Sequence, residues 1–360
     1  MSGPQPNPNI MGIVPYKGGQ KLAHGHKLSS NENPLGFSPK AKAAITSACE
    51  RLEEYPDGNA VALRRAIGAK FGLDADRIFC GAGSDEIFQL LGQAYLSPGD
   101  EILQSAHGFL IYRLVAEQAG AATISAPETD LCANVDALLD HISARTKIVF
   151  LANPNNPTGT YIPYSEVKRL QAGLPENVLL VLDGAYAEYV RTNDYSAGAE
   201  LAGEAPNVIM TRTFSKIHGL AGLRLGWGYG PQSVIDTLNR VRGPFNISAP
   251  AQAAGIAAIE DDRFVAQSID HNSAELARIS EAISAAGFRT YPSAANFVLV
   301  EFDDKPGRRA ADADAFLRSR GLVVRDVKAY GLPNCLRVSV GTTIANDELI
   351  EAFTAFAAAT

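Results

Sequence analysis

Through the first two-thirds of the chain, short apolar runs alternate with longer stretches of helical periodicity. Ile78 to Cys80 is followed by a helical Asp85 to Tyr95, and Glu101 to Gln104 by a helical Phe109 to Ala119. This alternation predicts an α/β unit built on a mostly parallel sheet flanked by helices. Two further runs, Lys147 to Leu151 (KIVFL) and Val178 to Leu182 (VLLVL), are apolar at every position. Strands covered on both faces have that pattern, whereas half-exposed strands alternate. Earlier, Ser38 to Leu52 carries a Ser cap, a Pro at the first helical position and apolar residues near helical spacing. Gly58 to Phe71 repeats the pattern, so two helices flank the tip Tyr55-Pro56-Asp57-Gly58.

Gly and Pro accumulate over Val241 to Pro250, and a long Ala-rich helical pattern then runs from about Ala251 to Ala286. The transition from a large to a smaller domain is expected here. The remainder reads as a small α+β domain, with strands Asn296 to Glu301 and Leu336 to Gly341, a helical Ala311 to Arg320 and a closing helix from about Asn346. The expected division is an N-terminal arm (1–40) associated with the small domain, a large domain (41–247) and a small C-terminal domain (248–360).

Composition narrows the function. At 360 residues, with 46% hydrophobic and 20% charged positions, the chain has ample material for a core and exceeds what one core organises efficiently. A net charge of −7 lacks the basic footprint of a nucleic-acid or membrane-surface binder. Cys49, Cys80, Cys132 and Cys335 form no CxxC pair, so neither a zinc cage nor a disulfide framework is expected, and a cytoplasmic location fits. The Pro/Asn-rich N-terminus lacks the basic and apolar regions of a signal peptide. The histidines other than His107 show no metal-ligand spacing.

Ligands of open α/β sheets bind beyond the carboxyl ends of the strands, so the polar sequences that follow KIVFL and VLLVL are where chemistry is expected. These are Asn153 to Gly159 (NPNNPTG) and Asp183 to Tyr186 (DGAY). A carboxylate without a metal wants a cation; a protonated pyridine nitrogen serves, with Asn156 and Tyr186 placed to bond a phenolate oxygen on the same ring. Alternatively, Asp183 caps a helix and Asn156 shapes a turn. Thr211 to Gly228 surrounds Lys216 with Thr211, Thr213, Ser215 and Arg224, a composition for a phosphate beside a reactive amine, or for a Gly-rich loop with surface cations. Cys80 to Phe88 (CGAGSDEIF) is a Gly-rich turn opening a helix, whose free N–H groups can receive a phosphate or simply make a tight turn. No P-loop is present.

NPNNPTG, DGAY, TFSK and GLAGLRLGW stand in the order and spacing of fold-type I aminotransferases, which bind pyridoxal 5′-phosphate. With SSNENPLG from Ser29, YPDG from Tyr55, GAGSDE from Gly81 and LRVSVGT around Arg337, the chain resembles the histidinol-phosphate aminotransferase family over nearly its full length. The resemblance implies that Lys216 forms the Schiff base with the cofactor and then serves as acid and base in the proton shift. It implies that Asp183 holds the pyridine nitrogen protonated, and that Tyr186 and Asn156 bond the ring oxygen. Gly83, Ser84, Asp85, Thr213, Ser215 and Arg224 match the phosphate cup. Tyr55 matches a residue reaching that phosphate from the second subunit, so a homodimer is implied. For substrate, Arg337 matches the α-carboxylate partner, Arg325 the one for the phosphate of histidinol phosphate, and Tyr16 an aromatic beside the side chain. His107 stands where many members stack a Tyr on the ring, and Gly184 where a Glu is common.

The reaction so implied is L-histidinol phosphate plus 2-oxoglutarate giving imidazole-acetol phosphate plus L-glutamate, in histidine biosynthesis. Relatives of the same fold that transaminate phenylalanine or tyrosine, or decarboxylate phosphothreonine, are the alternatives. A regulator that senses pyridoxal phosphate is disfavoured by the lack of a basic segment before Ser29, and an inactive structural protein by the presence of Lys216, Asp183 and Arg224.

Overall fold

The computed structural model describes residues 3–15 and 24–359. Its larger sheet has seven strands: β1 (Ile78–Gly81), β2 (Glu101–Ser105), β3 (Ala122–Ala126), β4 (Thr146–Ala152), β5 (Leu179–Asp183), β6 (Val208–Thr213) and β7 (Gly226–Tyr229). They lie in the order β1-β7-β6-β5-β4-β2-β3, and only β7 runs antiparallel to its neighbours. The apolar runs of β4 and β5 occupy the middle of the sheet, where helices cover both faces, which is why they do not alternate.

Register brings the loops together. Ala152, Asp183 and Thr211 are level across β4, β5 and β6, and Gly226 of β7 pairs with both Thr213 and Gly81. The sequences following β1, β4, β5 and β6 therefore emerge side by side at one edge of the sheet.

A second, antiparallel sheet holds β8 (Arg289–Thr290), β9 (Phe297–Glu301), β10 (Arg325–Asp326) and β11 (Cys335–Ser339) in the order β8-β9-β11-β10. Its core is formed with the helices Asp262–Ala285, Ala310–Ser319 and Thr343–Ala359. The N-terminal segment joins this part, His26–Lys27 pairing in parallel with Leu322–Val323, and Leu28 exchanging hydrogen bonds with Val323 and Ser339. Gly25 is required there: a Cβ would lie 2.0 Å from the Gly321 carbonyl oxygen.

Several sequence expectations are corrected. The helical pattern from Ala251 to Ala286 is two helices, Ala249–Ile259 and Asp262–Ala285. Asp261 breaks it, because its carboxylate accepts the Phe264 N–H and the Ser38 hydroxyl and so starts a new helix. The first helix packs on Pro39–Ala48 and Val61–Phe71 in the core of the large sheet, whereas the second serves the small one. The helix expected from Gly58 begins at Val61, since the Asp57 carboxylate takes the N–H groups of Asn59 and Val61 and Ala60 turns at φ 47°. Thr211 to Gly228, for which a Gly-rich loop is one of two sequence readings, spans the end of β6, a loop and most of β7. No helix of the described residues is long and apolar enough to cross a membrane.

Candidate active site

The loops beyond β1, β4, β5 and β6 meet the second sheet around a cleft of about 220 Å³. Among the expected site residues, Ser84, Asp85, Asn156, Asp183, Tyr186, Thr213, Ser215, Lys216, Arg224, Arg325 and Arg337 all line it.

One end is made for an anion. Ser84–Tyr95 begins at Gly83 with no side chain capping its first N–H groups, leaving the positive end of the helix on the cleft. Thr213 and Ser215 add hydroxyls 3.0 Å apart, with the Ser215 N–H on Thr213 Oγ1. Arg224 leans over this end, bonding Ser215 Oγ at 3.4 Å and Asp85 at 3.2 Å. Gly83 lies at φ +82°, and a Cβ there would come within 2.5 Å of Arg224 Nη2. The cradle is thus kept open by the absence of a side chain.

The opposite end is a buried carboxylate. Asp183 terminates β5, with Oδ2 accepting the Tyr112 hydroxyl at 2.6 Å and Oδ1 the Ala185 N–H at 3.1 Å. Burial pushes its titration up to about 6, against the pull of those two donors. Neither hydrogen-bond partner is a cation, so a protonated heterocyclic nitrogen is the partner this carboxylate suits. Lys216 lines the same cleft, and its Nζ donates to the Ser30 carbonyl at 3.2 Å. Burial, reinforced by the Arg337 guanidinium, lowers its titration to about 8, close enough to neutrality for a useful free amine. Anion cradle, amine and carboxylate in one cleft fit pyridoxal phosphate.

The third wall comes from the second sheet. Arg337 of β11 donates to Asn156 Oδ1 and, at 2.7 Å, to the Ser29 carbonyl. Arg325 of β10 is its cross-strand partner. The hydroxyl of Tyr186 accepts a hydrogen bond from Asn31 Nδ2 at 2.8 Å, and burial raises its titration to about 12, so it carries its proton at neutral pH.

His107 and Tyr55 do not line this cleft, whose lining residues include Phe109 and Tyr330. The His107 Nδ1 is 2.7 Å from the Tyr330 carbonyl. Tyr55 is 82% exposed and stacks on Phe245, with centroids 4.6 Å apart. Tyr16 lies outside the described residues. Gly184 abuts Arg212, which pairs with Glu188 at 2.7 Å. Among the described residues no cluster of His, Cys, Asp and Glu could hold a metal ion.

Sequence reasoning gives no site role to Tyr112, whose helical spacing marks a core residue, or to Ser29, Ser30 and Asn31 individually. Each of those three residues holds one functional side chain: Arg337, Lys216 and Tyr186 respectively.

Comparison with known proteins agrees with this geometry. The family described as aminotransferase class I and II matches residues 23–353. A histidinol-phosphate aminotransferase of Maricaulis maris (strain MCS10) is 55% identical over 356 residues, covering 98% of both chains. Its counterpart from Rhodopseudomonas palustris (strain BisB5) is 52% identical, covering 99% of this chain and all of its own. Among solved structures, the histidinol-phosphate aminotransferase of Sinorhizobium meliloti in complex with pyridoxal-5′-phosphate superposes with a TM-score of 0.91 at 28% identity, over 98% of this chain and 97% of that one.

Proposed function

Because this chain belongs to the aminotransferase class I and II family, we propose that it transfers the amino group of L-histidinol phosphate to 2-oxoglutarate, giving imidazole-acetol phosphate and L-glutamate. When bound, pyridoxal phosphate supplies an aldehyde for the amine and a ring that accepts electrons.

The residues divide the remaining work. The N–H groups at Gly83 to Asp85, with Thr213, Ser215 and Arg224, hold the cofactor's phosphate. Asp183 keeps the ring nitrogen protonated, and Tyr186 and Asn156 bond the ring oxygen; since Asn156 Oδ1 takes Arg337, its Nδ2 is the group left to donate. Lys216 would hold the cofactor; once the donor's amine displaces it, its freed Nζ would take the proton from the donor's α-carbon and deliver it to the cofactor's former aldehyde carbon. Burial supports that duty, because an amine titrating near 8 exchanges protons readily at neutral pH.

The observation carrying the substrate is the pair Arg325 and Arg337. Directly opposite in an antiparallel ladder, they share one face of the sheet, where like charges repel. Both line the cleft, so an anionic substrate repays that repulsion. In one half-reaction the pair meets the phosphate of histidinol phosphate, in the other the carboxylates of 2-oxoglutarate.

The exposed Tyr55–Phe245 stack supports a homodimer in which Tyr55 reaches the phosphate cup of the neighbouring subunit. Four free cysteines suit a reducing cytoplasm. The test of the substrate is Arg325→Ala. It should lower kcat/KM for histidinol phosphate by about a hundredfold, as for a lost charge-assisted contact, and for phenylalanine by much less. Equal losses would remove Arg325 from phosphate recognition.

A further inference from the structure

Asn31 is buried, stands at φ 56° and uses every polar group it has. Its N–H donates to Ser339 Oγ at 2.9 Å, and its carbonyl accepts Asn296 Nδ2 at 3.0 Å. Its side-chain Oδ1 accepts the Ser339 hydroxyl at 2.7 Å, and Nδ2 donates to Tyr186 Oη at 2.8 Å.

Counting protons gives these bonds a direction. The Ser339 oxygen already receives the Asn31 N–H, so its one proton goes to Oδ1, which leaves Nδ2 facing Tyr186. The phenol oxygen is thereby supplied with a donor and does not spend its own proton on Asn31. Turning the amide over would aim two donors at Ser339 and strand the Ser339 proton. It would also draw the Tyr186 proton onto Oδ1, away from the cleft that Tyr186 lines. The positive φ fixes where the Asn31 N–H points, and asparagine is one of the few residues that tolerates that backbone.

We propose that Asn31 is a positioning residue that turns the Tyr186 hydroxyl proton into the cleft, so that Tyr186 donates to the anionic ring oxygen of the cofactor. The inference rests on the reading of Tyr186 as that oxygen's partner. Ser339 is the element that locks the direction, and the segment Ser29 to Asn31 becomes part of the site.

The test uses apoenzyme and two ligands, pyridoxal phosphate and its 3-deoxy analogue, which lacks the ring hydroxyl. Both carry the same phosphate and aldehyde, so general damage to the site moves both affinities together and leaves their ratio alone. The wild type should favour pyridoxal phosphate by about a hundredfold or more, the combined effect of the hydrogen bonds that Tyr186 and Asn156 make to a charged oxygen. Tyr186→Phe should cut that preference by about tenfold, leaving the share of Asn156. Asn31→Asp, which keeps the size and tolerates the positive φ, offers only acceptors and recaptures the Tyr186 proton; it should lose the preference to the same extent, with no further loss in the double variant. Asn31→Gly, which removes the donor without adding an acceptor or a charge, leaves the proton unaimed and should lose part of the preference, less than Asn31→Asp. If both Asn31 variants keep the wild-type ratio while Tyr186→Phe loses it, the proposal is overturned. If Tyr186→Phe itself keeps the ratio, the reading of Tyr186 fails and the proposal with it.

Discussion

Tyr112 is fully buried, stacked on Phe150 with centroids 4.4 Å apart, and its hydroxyl sits 2.6 Å from Asp183 Oδ2. Tyr112→Phe keeps the stack and deletes one donor to the carboxylate. A hydrogen bond to a charged group contributes about 1.5–3 kcal/mol, and one pKa unit is about 1.4 kcal/mol, so Asp183 should move upward from about 6 by roughly one unit or more. The other ionisable groups bearing on Asp183, namely Asp85, Lys216, Tyr186 and Tyr195, are unchanged by the substitution. At pH 7 the protonated fraction of Asp183 in the apoenzyme should rise from about a tenth to about a half. The sign follows from a folded-state pKa that is raised: stability from the protonated carboxyl is complete below its unfolded value, 3.8, and is lost as pH rises through about 6. In Tyr112→Phe that loss should extend upward by about the same unit. Two assays read it: thermal unfolding of the apoenzyme against pH, and pyridoxal phosphate affinity against pH, whose acid limb should move up by about one unit. Cofactor phosphate ionisation is common to both proteins and cancels in the comparison. Coincident acid limbs and coincident unfolding curves would refute the argument that Tyr112 keeps Asp183 ionised.

Further predictions concern the reactive amine and the anion cradle. Lys216→Ala should eliminate the visible absorbance of bound cofactor and abolish transamination, with the apoenzyme still folding cooperatively; retained turnover would remove Lys216 from the mechanism. The same variant should lose a pH dependence of stability, because a lowered lysine pKa makes the wild-type apoenzyme gain stability as pH rises from about 8 toward 10.5. Gly83→Ala forces a side chain into φ +82° and against Arg224, so affinity for pyridoxal phosphate should fall about tenfold or more while that for unphosphorylated pyridoxal changes little. Parallel losses for both ligands would show that Gly83 does not shape the phosphate cup.

Much of this site was legible in the chain because its parts sit where an α/β sheet must present them. VLLVL ending in Asp183, and KIVFL ending in NPNNPTG, identify strand and site together. The hydroxyls around Lys216 and the later Arg224 are close enough in sequence to be read as one cradle. What stayed hidden depends on partners far away in the chain. Asp261 interrupts a helical pattern because Ser38, more than 200 positions earlier, supplies its hydroxyl. β7 could not be told from a Gly-rich loop, since its glycines serve close packing beneath the helix at Ser84 and against β6. The carbonyls of Ser29 and Ser30 act through backbone atoms, which carry no residue signature at all. Tyr112 looked like a core aromatic because it is one, apart from a single oxygen.

The central claim is that one cleft uses Lys216 to transfer an amino group and the Arg325–Arg337 pair to choose a phosphorylated donor. Single-turnover conversion of the cofactor from its aldehyde to its amine form, followed by absorbance, tests both parts with histidinol phosphate, phenylalanine, tyrosine and phosphothreonine side by side. A clear lead for histidinol phosphate, with 2-oxoglutarate restoring the aldehyde form, is the predicted result; conversion led by the aromatic amino acids would contradict it.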